Sequence, residues 1–105
     1  VHRDARTVPF WSPVEVEAAL RDAIAHLVAR RVLAYPTETV YGFGTAVDHE
    51  SVEALVQMKG RPPGKPFLLL INDPAQIGRL DLHLPTYAAT LAARFWPGPL
   101  TLVLR

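Results

Sequence analysis

Residues 32–44 read VLAYPTETVYGFG, and the fold class turns on them. The run VLAY at 32–35 is short, apolar and stopped by Pro36, the profile of a buried strand. The stretch that follows, 37–47, mixes β-branched and aromatic residues with Gly42 and Gly44, and reads as a loop passing into an irregular strand. Upstream, Ser12, Pro13 and Glu15 make a helix start: a hydroxyl to cap, a proline at the first helical position and a carboxylate at the third. Apolar residues at 16, 20, 24, 27 and 28 then recur at helical spacing and predict a helix over 13–30. Arg30 and Arg31 fall at its C-terminal end, where cations favour the dipole. Downstream, Asp48 or Ser51 caps a helix running to about Met58, and Gly60 stops it.

The remaining chain repeats this alternation. A second buried strand is expected at 67–71, and Asn72, Asp73 and Pro74 then start a short helix to about Leu80. A further helix is expected at 86–95, a break at 96–99 and a strand at 100–104. Helices alternating with short apolar strands predict an α/β domain, and connections of irregular length predict a mixed sheet. The expected organisation is one domain over 1–105 with an irregular lead-in at 1–12. An apolar strand at the end of the chain is expected to continue into more of the domain.

Bulk properties set the class. A chain of 105 residues has one small core and buries roughly two-thirds of its unfolded surface. Half of the residues are hydrophobic and a fifth are charged, an ordinary globular mixture. The longest wholly apolar run, 67–71, is far below the roughly 18 residues of a membrane span. The first eleven residues lack the apolar stretch of a secretory signal. With no cysteine there is neither a disulfide framework nor a thiolate metal site, and a cytoplasmic location is expected. Net charge is +1, which argues against a generally basic nucleic-acid binder. Its distribution is uneven: residues 1–58 hold five Arg against eight acids, and residues 59–105 hold six Lys and Arg against two acids. An anion site is expected in or near the second half.

Two segments could carry chemistry. PTETVYGFG at 36–44 places three hydroxyls (Thr37, Thr39, Tyr41), the carboxylate of Glu38 and two glycines after a strand. Ligands of open α/β sheets bind in that position. The competing reading is a turn whose threonines satisfy local backbone groups while Tyr41 packs in the core. KGRPPGKP at 59–66 places Lys59, Arg61 and Lys65 at a helix end, between glycines and prolines that hold the backbone non-helical. Such a cluster suits a di- or triphosphate, with Arg gripping two oxygens and Lys acting as a point charge, and it suits RNA phosphates equally well. The competing reading is a solvated basic turn. Neither GxxxxGK[ST] nor GxGxxG occurs. His2, His26, His49 and His83 show no metal spacing and are read as surface or structural residues. Trp96, in WPGP, is read as a core anchor at a rigid turn rather than a base-stacking platform.

PTETVYGFG, KGRPPGKP and FWPGPLTLVL at 95–104, taken in that order, resemble the YrdC-like family of L-threonylcarbamoyladenylate synthases from about residue 18 to the end of the chain. The resemblance implies a twisted mixed sheet flanked by helices. It also implies a nucleotidyltransferase activity: L-threonine, bicarbonate and ATP give threonylcarbamoyl-AMP and pyrophosphate. A partner transferase then passes the threonylcarbamoyl group to an adenosine of tRNA. By the same resemblance Lys59 and Arg61 match the KxR motif of the basic catalytic cavity, and Lys65 matches a further position near the nucleotide phosphates. Thr39 matches the threonine-contacting residue of the PTxT motif, with Thr37 and Tyr41 beside it. Mg²⁺ is expected to accompany ATP, held mainly by phosphates and water, with no dedicated protein metal site. The sequence departs from the family in its length, close to half that of the family domain, and in lacking the later Ser-x-Asn motif, since its only asparagine is Asn72. Phe43 stands where leucine is commoner. Two other readings stay open: a double-stranded RNA or tRNA-binding module without catalysis, and a YrdC-like domain of a carbamoyltransferase, against which the absence of zinc-finger cysteines speaks.

Overall fold

Ser12 opens the first helix, α1 (Pro13–Val28), in the computed structural model, which describes residues 5–62 and 64–105. His2 and Pro63 therefore lie outside the described residues. The chain divides into two compact units, Val1–Lys65 and Pro66–Arg105. The expected lead-in has no regular secondary structure over 5–12.

In the first unit, the Ser12 hydroxyl accepts from the Glu15 amide at 3.2 Å, and the Glu15 carboxylate accepts from the Ser12 and Trp11 amides at 3.2 and 2.8 Å. This reciprocal cap satisfies donors that the first helical turn leaves without partners. The helix ends two residues before the expected boundary because Arg30 adopts φ 60°. The Arg30 amide donates to the Leu27 carbonyl at 2.9 Å and the Arg31 amide to that of His26 at 3.2 Å. These two bonds form a Schellman closure, whose left-handed residue is usually glycine. A side chain there costs about 1–2 kcal/mol. The Arg30 guanidinium pairs with Glu50 and, at 3.7 Å, with Asp48.

Strands β1 (Leu33–Pro36) and β2 (Tyr41–Gly44) follow, one residue on from the expected run, and pair antiparallel with Tyr35 opposite Gly42 and Pro36 opposite Tyr41. Burial alternates along both strands, so one face is covered and the other is open. Helix α1 packs against β1, and the His26 ring bonds the Val32 carbonyl at 2.7 Å through Nε2. Helix α2 (His49–Lys59) is capped by Asp48, which accepts from the Ser51 amide at 3.0 Å and hydroxyl at 2.6 Å. These two bonds, with a smaller contribution from the Arg30 charge, hold the Asp48 carboxyl below its ordinary range. Ser51 is fully buried, and among the described residues Ala19 and Leu55 are the buried hydrophobic residues of this unit.

The second unit holds α3 (Gln76–Arg79) and α4 (Thr86–Phe95), with Ile77, Ala88 and Ala92 buried. The Asp73 carboxylate accepts from the Ala75 amide at 2.8 Å, and the Gln76 side chain accepts from Asn72 at 2.9 Å, so residues 72–75 form a turn and the helix expected to start there begins at Gln76. After α4 the Trp96 indole donates to the Leu100 carbonyl at 2.7 Å and closes the WPGP turn, but the side chain is half-buried and not part of the core expected for it.

Two expectations are corrected here. The α/β class holds, but among the described residues the sheet has two antiparallel strands and is not mixed. Residues 67–71 and 100–104 form no strand, and Leu68, Leu70 and Val103 are exposed. An apolar run sets a segment's preference for burial; a strand also needs a neighbour to satisfy its N–H and C=O groups.

Candidate functional site

The loop between β1 and β2 is four residues long, 37–40, and Thr37 closes it. Its amide donates to the Val40 carbonyl at 3.3 Å, and its hydroxyl donates to the same carbonyl at 2.5 Å. That hydroxyl also accepts from the amides of Thr39 at 3.3 Å and Val40 at 3.2 Å. The Thr39 hydroxyl stands 3.4 Å away on the same side, so the alternation of the two threonines does bring them together. Both are exposed, as is Glu38. Tyr41 is 73% exposed, so its ring is not core material and remains available to a ligand.

Gly42 and Gly44 have a local explanation. The Tyr35 ring crosses from β1 onto β2: a Cβ at Gly44 would meet Tyr35 Cε1 at 2.7 Å, and one at Gly42 would lie 3.9 Å from its hydroxyl. The glycines make room for an aromatic side chain that packs across the hairpin. Tyr35 therefore braces the hairpin that carries the loop, beyond the strand position expected of it. The signal was present: in a hairpin turned over four residues, Tyr35 and Gly42 must face each other.

Lys59 ends α2. Gly60 follows at φ 61°, its amide donating to Gln57 at 3.3 Å, and the Arg61 amide reaches back to Val56 at 3.2 Å. This is the closure seen at Arg30, here with the residue that fits it. Lys59 and Arg61 therefore flank a left-handed turn. Gly64, at φ 79°, precedes Lys65, whose amide bonds the Pro62 carbonyl at 3.4 Å. Lys59 and Lys65 are exposed and Arg61 is half-buried. Among the described residues, the Lys59 and Lys65 side chains form no ion pair with the protein. Exposed ammonium groups on a folded-back loop suit an anionic, oxygen-rich ligand.

Thr37, Thr39 and Tyr41 thus share one hairpin, Lys59, Arg61 and Lys65 share one helix-terminal loop, and both groups belong to the unit Val1–Lys65. Among the described residues no group of three or more His, Asp or Glu could hold a metal ion. His26 has the structural role expected of it, and among the described residues no helix is long and apolar enough to cross a membrane.

Residues 26–105 match the Sua5/YciO/YrdC family model, described as telomere recombination. The chain is 43% identical over 89 residues to a threonylcarbamoyl-AMP synthase of Pyrococcus abyssi, covering 84% of this chain and 26% of that protein. It is 43% identical over 86 residues to a threonylcarbamoyl-AMP synthase of Bacillus subtilis, with coverage of 81% and 25%. A threonylcarbamoyl-AMP synthase of Halorhodospira halophila is 37% identical over 86 residues, with coverage of 81% and 45%. The chain thus spans a quarter to just under half of the length of these relatives. No solved structure matches it.

Proposed function

The chain belongs to the Sua5/YciO/YrdC family, and on that premise we propose that it carries the threonine- and phosphate-binding portion of a threonylcarbamoyl-AMP synthase. The observation that carries this reading is that both polar groups, the 37–41 hairpin and the 59–65 cation loop, lie inside the stretch matched by the family and by relatives of that name.

The chemistry asks for what these two groups can offer. The amine of L-threonine condenses with bicarbonate to a carbamate, an N–C bond forming as water leaves. A carbamate oxygen attacks the α-phosphorus of ATP, an O–P bond forms, the bond to the β-phosphate breaks, and pyrophosphate leaves with the electron pair. Carbamate and triphosphate are both anionic, so their approach is opposed by charge until cations compensate it. Lys59 and Arg61 act as the catalytic cations, stabilising charge on the reacting α-phosphate and on the leaving pyrophosphate. Lys65 holds the outer phosphates. Thr39, with Thr37 and Tyr41 beside it, orients the amino acid so that its carbamate faces phosphorus in line. Lys59, Arg61 and Lys65 would hold phosphate oxygens rather than a metal ion, so Mg²⁺ entering with ATP would be held mainly by phosphate oxygens and water and would offset further charge on the phosphates.

The product is an activated acyl donor for a transferase that modifies an adenosine of tRNA, a cytoplasmic reaction. The test supplies the protein with ATP, L-threonine, bicarbonate and Mg²⁺ and measures pyrophosphate release. Release that requires both threonine and bicarbonate supports the reading. No release by a version of the protein extended to the length of its relatives, under conditions where a known synthase is active, refutes it.

A further inference from the structure

Helices α1 and α2 end in the same backbone closure, but only α2 has the residue that fits it. Gly60 takes the left-handed position at φ 61°, and Arg30 takes the matching one at φ 60°. A side chain strains that backbone, and glycine does not. The guanidinium of Arg30 reaches forward to Glu50 and, at 3.7 Å, to Asp48. Arg30 and Glu50 are exposed and Asp48 is half-buried, so water and salt screen these pairs and they add little to stability. The strain is therefore not offset by the pairs, and what the arginine contributes is a connection between two helices.

That connection joins the end of α1 to the start of α2. A cation suits the first helix terminus and carboxylates suit the second, so each partner is also favoured by its own helix dipole. Among the described residues α1 packs against β1, while α2 shares no packed face of that extent with α1, β1 or β2. Ser51 and Leu55 bury one side of α2, and its direction is left open to a weak bias. The helix has 11 residues and is about 16 Å long, so a tilt of about 10° at its start moves its far end by about 3 Å. At that far end stands Lys59, with Arg61 just beyond it.

We infer that Arg30 is a positioning residue: its pairs with Asp48 and Glu50 set the direction of α2, and with it the place of Lys59 and Arg61. The inference rests on the proposed synthase reading for the phosphates those cations bind, but not for the coupling between Arg30 and the far end of α2. An exposed ion pair shifts a population by at most about fivefold. A site that is competent in only part of the population binds its ligand more weakly by that fraction. The effect of Arg30 therefore falls on the KM for ATP and leaves kcat alone.

The chain contains no cysteine, so Glu17→Cys and Gln57→Cys place two spin labels, one on α1 and one near the end of α2. Their distance distribution is measured by pulsed electron resonance with Arg30 intact and in Arg30→Asn, Arg30→Lys and Glu50→Gln. The KM for ATP is measured without labels, in pyrophosphate release by a version extended to the length of its relatives. Arg30→Asn keeps a residue that tolerates the left-handed region and removes the charge. It should widen the distribution and raise KM about two- to fivefold, with kcat unchanged and thermal stability at or above that of wild type. Glu50→Gln, which leaves the backbone at Arg30 untouched, should act in the same direction to a smaller extent. Arg30→Lys keeps the charge and should stay close to wild type. An Arg30→Asn distribution identical to that of wild type, or one widened equally by Arg30→Lys, overturns the inference. So does an unchanged KM where the distribution widens. If the extended wild-type protein releases no pyrophosphate, the synthase reading falls, and the distances still decide whether Arg30 directs α2.

Discussion

The Tyr35 ring lies against the backbone of Gly44 so closely that a Cβ there would stand 2.7 Å from Cε1. Gly44→Ala must push the ring aside, at about 1–3 kcal/mol. Tyr35→Ala should remove most of that penalty. Urea denaturation of the two single variants and the double variant should therefore give a coupling energy well above the roughly 0.5 kcal/mol scatter of independent sites. Strict additivity would mean that the ring does not rest on Gly44.

At Gly60 the expected penalty has a different origin. A Cβ there meets nothing within 4 Å, but the residue sits at φ 61°. Gly60→Ala should cost about 1 kcal/mol through the backbone alone, and Gly60→Asn less, since asparagine tolerates the left-handed region. Thermal unfolding should rank wild type, Asn, Ala and Val in that order of decreasing stability. Because Lys59 and Arg61 flank this turn, the KM for ATP should follow the same order.

Lys59→Ala and Arg61→Ala should each lower pyrophosphate release by about 10²-fold or more, the usual cost of removing one stabilising group from a developing charge. Circular dichroism should show α2 retained in both. Turnover within a factor of two of wild type in both variants would remove these residues from the catalytic roles given to them.

Asp48 makes stability depend on pH. Its folded-state pKa lies below the ordinary 3.8, first because of the Ser51 hydroxyl bond and then because of the Ser51 amide bond. The carboxylate form is therefore favoured by folding. Its contribution is present in full above the unfolded value and disappears as the pH falls through the lowered one, that is, below about pH 4. Asp48→Asn should flatten the acid limb of a thermal-stability profile between about pH 2 and 4 and weaken the cap at neutral pH. An acid limb identical to that of wild type would show that the cap does not titrate in this range.

How much of this was legible in the sequence depended on the range of the interaction involved. The α1 start needed only Ser12 and Glu15, three residues apart, and the α2 stop needed only Gly60; both were read correctly because the physics is contained in one turn of chain. The α1 end was misplaced because Arg30 occupies a position that glycine usually marks, and the Glu50 and Asp48 carboxylates it pairs with lie about twenty residues away. The segments at 67–71 and 100–104 were read as strands from their apolar character, which carries no information about a pairing neighbour. In the candidate site the residue types were plain, and the local-turn reading of the hairpin holds for Thr37 and fails for Tyr41. Thr37 does satisfy local backbone, as a simple turn would, while Thr39 and Tyr41 are left exposed. Only the hydrogen-bond geometry separates the two threonines, because the sequence presents them as equals.

Among the described residues no third strand borders the β1–β2 hairpin, and Val40, Tyr41 and Phe43 are exposed along its second half. A hairpin margin with no strand beside it and apolar side chains along it is a surface that can template the addition of another extended chain. The practical result is a concentration threshold. Dilute solutions should keep the chain monodisperse, and crowded ones should recruit copies through this hairpin, so a soluble charged residue at Val40 would be the first change to make before any high-concentration measurement.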